Sequence, residues 1–171
     1  MNNCLNIILH SRSVRRYQDK PIEQEKLEQI LQAALASPSS KHLNPWEFVV
    51  VTDRSILSQL ASCRTYGSQM LKEATAGIVI CVDASKTDTW QCDGAIAAEN
   101  MLLTASDLSL GACWVQVYNR DGAEDLVRQL CHIPQNLNVL CIVSLGYPNE
   151  DKKPINPEHL QYDKIHYGQY E

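Results

Sequence analysis

Arg12, Ser13, Arg15 and Arg16 crowd the stretch SRSVRRY (residues 11–17) of a 171-residue chain whose formal net charge is −5. Guanidinium groups gathered on an acidic chain have two uses. They can face water as a solvated basic end, or they can grip an anion such as a phosphate, because guanidinium–phosphate pairs are charge-assisted and often bidentate. A second donor-rich stretch, SPSSKHLNP (37–45), places Ser39, Ser40, Lys41 and His42 directly after Pro38. Backbone phosphate cradles are missing: no GxGxxG follows a strand-like run, no GxxxxGK[ST] occurs, and the chain holds only 7 glycines. GxSxG and HExxH are missing too. A phosphorylated ligand would therefore be held by side chains, and these two segments are the ones with suitable chemistry. Taken alone, the residues leave both the solvated face and the anion grip open.

The bulk properties narrow the class. An apolar fraction of 44% and a charged fraction of 20% are ordinary for a globular protein. A chain of this length is read as one domain, residues 1–171, with a C-terminal arm at about 149–171. The acidic balance argues against nucleic acid as a partner. No apolar stretch approaches the roughly 20 residues of a membrane span, and the opening MNNC has neither a basic region nor a long apolar run, so no secretory signal is expected. The 7 cysteines are odd in number, scattered, and never spaced as CxxC. That pattern suits a reduced, cytoplasmic protein, with Cys81, Cys113 and Cys141 as small buried hydrophobes inside strand-like runs. The histidines never stand at ligand spacing from these cysteines, so no metal is expected.

These donors need a scaffold, and the periodicity supplies one. Residues 3–10 read as a short helix. In IEQEKLEQILQAALAS, Leu27, Ile30, Leu31, Ala34 and Leu35 fall on one helical face, with Glu23 and Glu25 near the positive end of the dipole and Pro38 as the stop. WEFVVVT, GIVICVDA, ACWVQVY and VLCIVSLGYP read as four strands. Asp53 is expected to cap a short helix RSILSQLA, and Asp121 a helix ending near Cys131. The longest helix, at about 92–110, is rich in alanine, apolar over much of its circumference, and expected to close on Gly111 as C-cap. Alternating helices and strands imply an α+β fold with a central mixed β-sheet flanked by helices.

Together, SRSVRRYQDKPI, the helix that follows it and SPSSKHLNPWEFVVVT resemble the opening of the nitroreductase family of FMN-dependent oxidoreductases. Members typically show Arg-Arg-Ser-(Ile/Val)-Arg-x-(Phe/Tyr), a helix, then Ala-Pro-Ser-x-x-Asn-x-Gln-Pro-Trp-x-Phe before a valine-rich strand. DGAIAAENMLLTASDLSLGACWV resembles the family's long central helix and its Trp-bearing exit, IVSLGYP its late strand and KIHYGQY its closing segment. The resemblance implies a homodimer with FMN at the subunit interface. It places Arg12 and Ser13 at the phosphate and ribityl, and Arg15 at the pyrimidine edge, where a cation stabilises the charge of the reduced ring. Pro38, Ser39, Ser40 and His42 would come from the other subunit. Trp114, Val115 and Gln116 would set backbone groups beside flavin N5, with Gln69 a further candidate at the pyrimidine edge. Arg16 and Tyr17 fall outside the grip.

The implied activity is a ping-pong relay of hydride from NADH or NADPH through the flavin to a nitroaromatic, a quinone or a similar small acceptor. No protein nucleophile is needed, because the cofactor carries the chemistry. Three departures from the family pattern stand out: Ser11 replaces the first arginine, His42 and Asn44 replace the usual Asn and Gln, and Gln116 stands where many relatives have Gly. Lys152 and Lys153 are candidates for the missing phosphate cation. Two other outcomes remain open, a specialised enzyme of the same fold (a dehalogenase or a flavin-consuming enzyme) and a non-catalytic flavin-binding dimer.

Overall fold

The computed structural model describes residues 3–170. Chain order is α1 (Asn3–His10), α2 (Gln24–Leu35), β1 (Trp46–Val51), α3 (Arg54–Leu60), β2 (Ala76–Val82), α4 (Trp90–Asp107), β3 (Gly111–Gln116), α5 (Ala123–Cys131) and β4 (Asn138–Gly146). The strands form one sheet in the order β1-β2-β4-β3. The α+β class stands, but all three pairings between these strands are antiparallel. Among the described residues, the parallel component of the expected mixed sheet is a single bridge, Ser13 to Ala112.

Strand alternation sends side chains into two separate cores. On one face Val79, Cys81, Val115 and Ile142 pack with Leu57, Leu60 and Val127 from α3 and α5. On the other, Ile78, Ile80 and Val143 meet Ala97 and Met101 of α4, and α2 adds Leu27, Ile30 and Ala34. Every residue of β2 is buried, which explains why its sequence is uniformly apolar rather than alternating.

Local signals predict most boundaries. The Asp53 side chain accepts the N–H groups of Ser55 and Ile56 at 2.7 and 3.3 Å, as a helix N-cap should. Cys81, Cys113 and Cys141 are buried free thiols. Two caps differ from expectation. Residue Gly122 in the left-handed region (φ +68°), not Asp121, stands before α5. The end of α4 is Leu108 followed by Ser109 at φ +59°, while Gly111 already belongs to β3. Gly111 is there for another reason, set out below. Beyond β4, residues 149–170 run as an exposed arm with two short 3-10 turns at Pro157–His159 and Tyr162–Lys164.

Candidate functional site

The arginine segment is seated by two glycines that face each other across the sheet. Gly111 and Gly146 are register partners of β3 and β4. A Cβ on Gly111 would lie 2.6 Å from Val14 Cγ1, and one on Gly146 would lie 2.7 Å from Tyr17 Cδ1. The absence of both side chains lets Val14 and Tyr17 bury themselves against the end of the sheet (8% and 4% exposed). Arg12, Ser13, Arg15 and Arg16, on the intervening positions, are thereby left outside. Backbone bonds hold the segment on both sides. Val14 N–H donates to the Ala112 carbonyl at 3.0 Å, Gln18 N–H to the Tyr147 carbonyl at 2.8 Å, and Asn149 N–H to the Arg16 carbonyl at 2.9 Å. The Tyr17 hydroxyl lies 2.8 Å from both the Val14 carbonyl and Ser144 Oγ, and Ser144 Oγ donates to the Cys113 carbonyl at 3.2 Å. Burial holds the Tyr17 phenol far above its ordinary range, so it is a neutral hydrogen-bonding group. Tyr17, outside the grip by sequence, is the anchor of the segment that carries it.

The base of the arm closes over the same segment. Arg12 donates to the Lys153 carbonyl at 2.9 Å, Arg15 N–H donates to Glu150 Oε1 at 2.6 Å, and Glu150 Oε2 pairs with Lys152 at 2.9 Å. The Arg15 amide, with Lys152 behind it, holds the Glu150 carboxyl below the usual carboxylate range. A concavity of about 280 Å³ lies here, lined by Arg12, Val14, Leu110, Ala112, Glu150 and Lys152 among others. Glu150 was not foreseen, since no local signal links it to a residue 135 positions earlier.

Arg15 faces a second concavity of about 340 Å³ with Arg16, Gly67, Gln69, Met70 and Glu73. Gln69 thus lies beside Arg15, but its amide is occupied with its own loop. It accepts from Gly67 N–H at 2.9 Å and donates to the Arg64 and Thr65 carbonyls at 3.1 and 2.9 Å. Arg16 leans on Glu73 at 3.6 Å and is largely exposed. Burial pushes the Cys113 thiol up, which suits a core residue rather than a reactive thiolate.

Strand β3 is an edge. Because the Ala112 carbonyl turns outward to Val14, the pleat also turns the N–H and C=O groups of Trp114 and Gln116 toward the open edge. The Val115 side chain is buried on the α3–α5 face. Gln116 does not project over the edge. It accepts from Trp114 Nε1 at 3.0 Å and donates to the Tyr118 carbonyl at 2.9 Å.

The segment Pro38–His42 lies apart from these groups. Ser40 and Lys41 border a different concavity, of about 450 Å³, with residues of the 84–88 turn. Its backbone is strained, with Lys41, His42 and Asn44 at φ +52°, +54° and +44°, a region that disfavours residues bearing a Cβ by about 1–2 kcal/mol each. Ser39 Oγ clasps the far end by donating to Asn44 Oδ1 at 2.8 Å and accepting from Asn44 N–H at 3.0 Å. The Ser40 N–H donates to Asp93 Oδ1 at 3.0 Å.

The fold is an α+β sheet with helices on both faces and an outward-facing arginine segment at one end. Comparison with known proteins makes this more specific. The profile of the Nitroreductase family matches residues 8–64 and 59–147. An Archaeoglobus fulgidus protein provisionally named an NADH dehydrogenase/NAD(P)H nitroreductase is 39% identical over 96% of this chain and 99% of its own. The NADPH-flavin oxidoreductase of Vibrio harveyi is 31% identical over 100% of this chain and 76% of its own. Among solved structures, an FMN-dependent nitroreductase from Clostridium difficile superposes with a TM-score of 0.95 at 42% identity, covering 97% of this chain and 99% of that one. The chain belongs to the nitroreductase family.

Proposed function

We propose that this chain is an NAD(P)H-dependent flavin oxidoreductase that uses FMN as its cofactor. The observation that carries the reading is the presentation of Arg12 and Arg15 on a segment whose own hydrophobic residues are locked into the sheet, next to an edge strand with outward N–H groups. The donor set fits FMN. Arg12, Ser13 and Lys152 suit the phosphate and ribityl, Arg15 the pyrimidine edge, and the outward backbone groups of Trp114 and Gln116 the polar rim of the ring. Gln69 contributes by shaping the loop beside Arg15. The family relatives named for NAD(P)H and flavin support the same reading. When bound, FMN supplies a two-electron relay between NAD(P)H and an acceptor.

The chain's part is binding, orientation and charge. Arg15 places a cation where negative charge develops, on a segment anchored by Val14 and Tyr17. Lys152 takes up the cationic role left by Ser11, which requires its exchange from Glu150 to the ligand's phosphate. Pro38, Ser39, Ser40 and His42 come from a second copy in a homodimer. The separation of this segment from Arg12 and Arg15 within one chain supports that, as do the exposed Leu160, Ile165 and Tyr167 of the arm. Small nitroaromatics, quinones or flavins are the acceptors. The scattered free thiols suit a reduced, cytoplasmic setting.

The test is reconstitution. Apoprotein titrated with FMN should turn yellow at one flavin per chain and bleach when NADH or NADPH is added anaerobically. Protein that takes up no FMN sinks the reading, and bound FMN that neither nucleotide bleaches removes the enzymatic part of it.

A further inference from the structure

Asp93 is a carboxylate inside the fold that the chemistry above leaves unused. It sits in the first turn of α4 at 3% exposure. Its Oδ1 accepts the Ser40 N–H at 3.0 Å, while its equally buried Oδ2 has no hydrogen-bond partner among the described residues. A buried polar group satisfied on one side only is unfavourable, and a well-packed apolar residue at the same place would remove that penalty. Two turns further along the same side of the helix, Asn100 Nδ2 donates to Ser37 Oγ at 2.7 Å and to the Ala33 carbonyl at 3.3 Å. Helix α4 therefore grips the loop at both ends of its Ser37–Ser40 stretch. Directly beyond that grip come the left-handed Lys41 and His42. Backbone strain persists only where the surroundings over-determine it, and it gathers where geometry has a use. In their own chain the side chains of Ser40, Lys41 and His42 make no hydrogen bond among the described residues.

We infer that Asp93 is a positioning residue: by fixing the Ser40 N–H it holds Ser39, Ser40 and His42 in the conformation in which they meet the cofactor of a second copy of this chain. This rests on the assignment of residues 38–42 made under the proposed function. The gain is preorganisation, since a loop ordered before binding loses less conformational freedom on binding. Asp93 acts through the loop and touches neither cofactor nor substrate. Asn100 steadies the opposite end.

The experiment combines FMN titration of apoprotein, followed by quenching of flavin fluorescence, with amide hydrogen exchange across residues 37–44 and thermal unfolding of the apoprotein. Asp93→Ala should raise the FMN Kd by about tenfold or more and speed exchange in the loop. Its melting temperature should change little, because the substitution removes a half-satisfied buried polar group together with one hydrogen bond. Asp93→Asn keeps an acceptor oxygen for the Ser40 N–H and should bind FMN within about threefold of wild type, a rescue that a merely structural role does not predict. Asp93→Ala with an FMN Kd within about twofold of wild type overturns the inference. So does an equal loss of affinity and melting temperature in both variants. Should Asp93→Ala not fold, Asp93→Leu, which fills the space without an acceptor for the Ser40 N–H, carries the test: about tenfold weaker binding is expected, and unchanged binding overturns the inference. Wild-type protein that takes up no FMN sinks the functional reading and this inference with it. Wild type that binds while Asp93→Ala binds equally well sinks the inference alone.

Discussion

The two donor segments of this protein are built in opposite ways. Residues 12–17 carry their own anchors: Val14 and Tyr17 are buried on Gly111 and Gly146, and the backbone is bonded to β3 on one side and to the arm base on the other. Residues 38–44 have no buried side chain and three left-handed residues, and are held from outside by Asp93 of α4, with Asn100 of the same helix on the adjoining Ser37. The first segment is pinned by burial of Val14 and Tyr17, three positions apart, which leaves the arginine side chains on the outer surface. The second is rigid only as far as a few hydrogen bonds make it so. In the proposed grip the first segment takes its placement from the sheet and the second from α4.

This contrast can be broken most sharply at the glycine seat. Gly146→Val pushes a branched side chain into a place where even a Cβ would stand 2.7 Å from Tyr17. The loss in urea unfolding should reach the upper end of the about 1–3 kcal/mol typical of overpacking, and FMN uptake should fail with it. Next comes the division within the arginines. Arg15→Ala should weaken FMN binding by about tenfold to a hundredfold, the range for a lost charge-assisted bond. Arg16→Ala, which gives up only an exposed contact with Glu73, should change it by less than about threefold. Equal and negligible effects of both would mark the cluster as a solvated face.

A smaller effect tests the arm base through pH. The folded-state pKa of Glu150 is depressed, so its contribution is present above its ordinary value of 4.5 and is lost as pH falls through the folded value. The stability gap between wild type and Glu150→Gln, measured as urea midpoints, should therefore be largest near neutrality and should close on acidification below that value. A gap that stays constant with pH would show that Glu150 acts by shape alone. The smallest effect belongs to the strained loop. Lys41→Gly relieves a residue at φ +52° but loosens the unfolded chain as well, so stability should stay within about 1 kcal/mol of wild type. A glycine in the other segment, at Val14, should be far less well tolerated, since it empties the seat on Gly111.

Much of this was legible in the sequence, for reasons that are local. Of the helical stripe of α2, Leu27, Ile30 and Ala34 are buried, while Leu35, expected on the same face at the helix's last turn, is exposed. That stripe, the uniformly apolar β2 and the Asp53 cap each depend on residues within a few positions of one another. The same holds for the two donor-rich segments, which stand out by residue type alone. The errors also have local causes. Asp121 looked like a cap because Asp is a good one, but Gly122 takes the left-handed turn into α5. Gly111 looked like a helix C-cap because glycine usually serves there, whereas Val14, distant in sequence, occupies the space a side chain would need. Gln116, which stands where many relatives have Gly, bonds to Trp114 and to the Tyr118 carbonyl, contacts that its residue type alone does not announce.

By itself, then, the sequence determined which segments are helix and strand, which two segments are rich in polar donors, and which family the chain resembles. Periodicity, capping and residue chemistry are properties of short windows. Only the tertiary structure decided that the strands pair antiparallel throughout, that Tyr17 is an anchor, that Glu150 and Lys152 join Arg12, and that Asp93 grips Ser40. Those contacts join residues far apart in the chain, and they exist only because sheet register and the burial of both cores bring them together, a balance summed over the whole molecule that no short window contains.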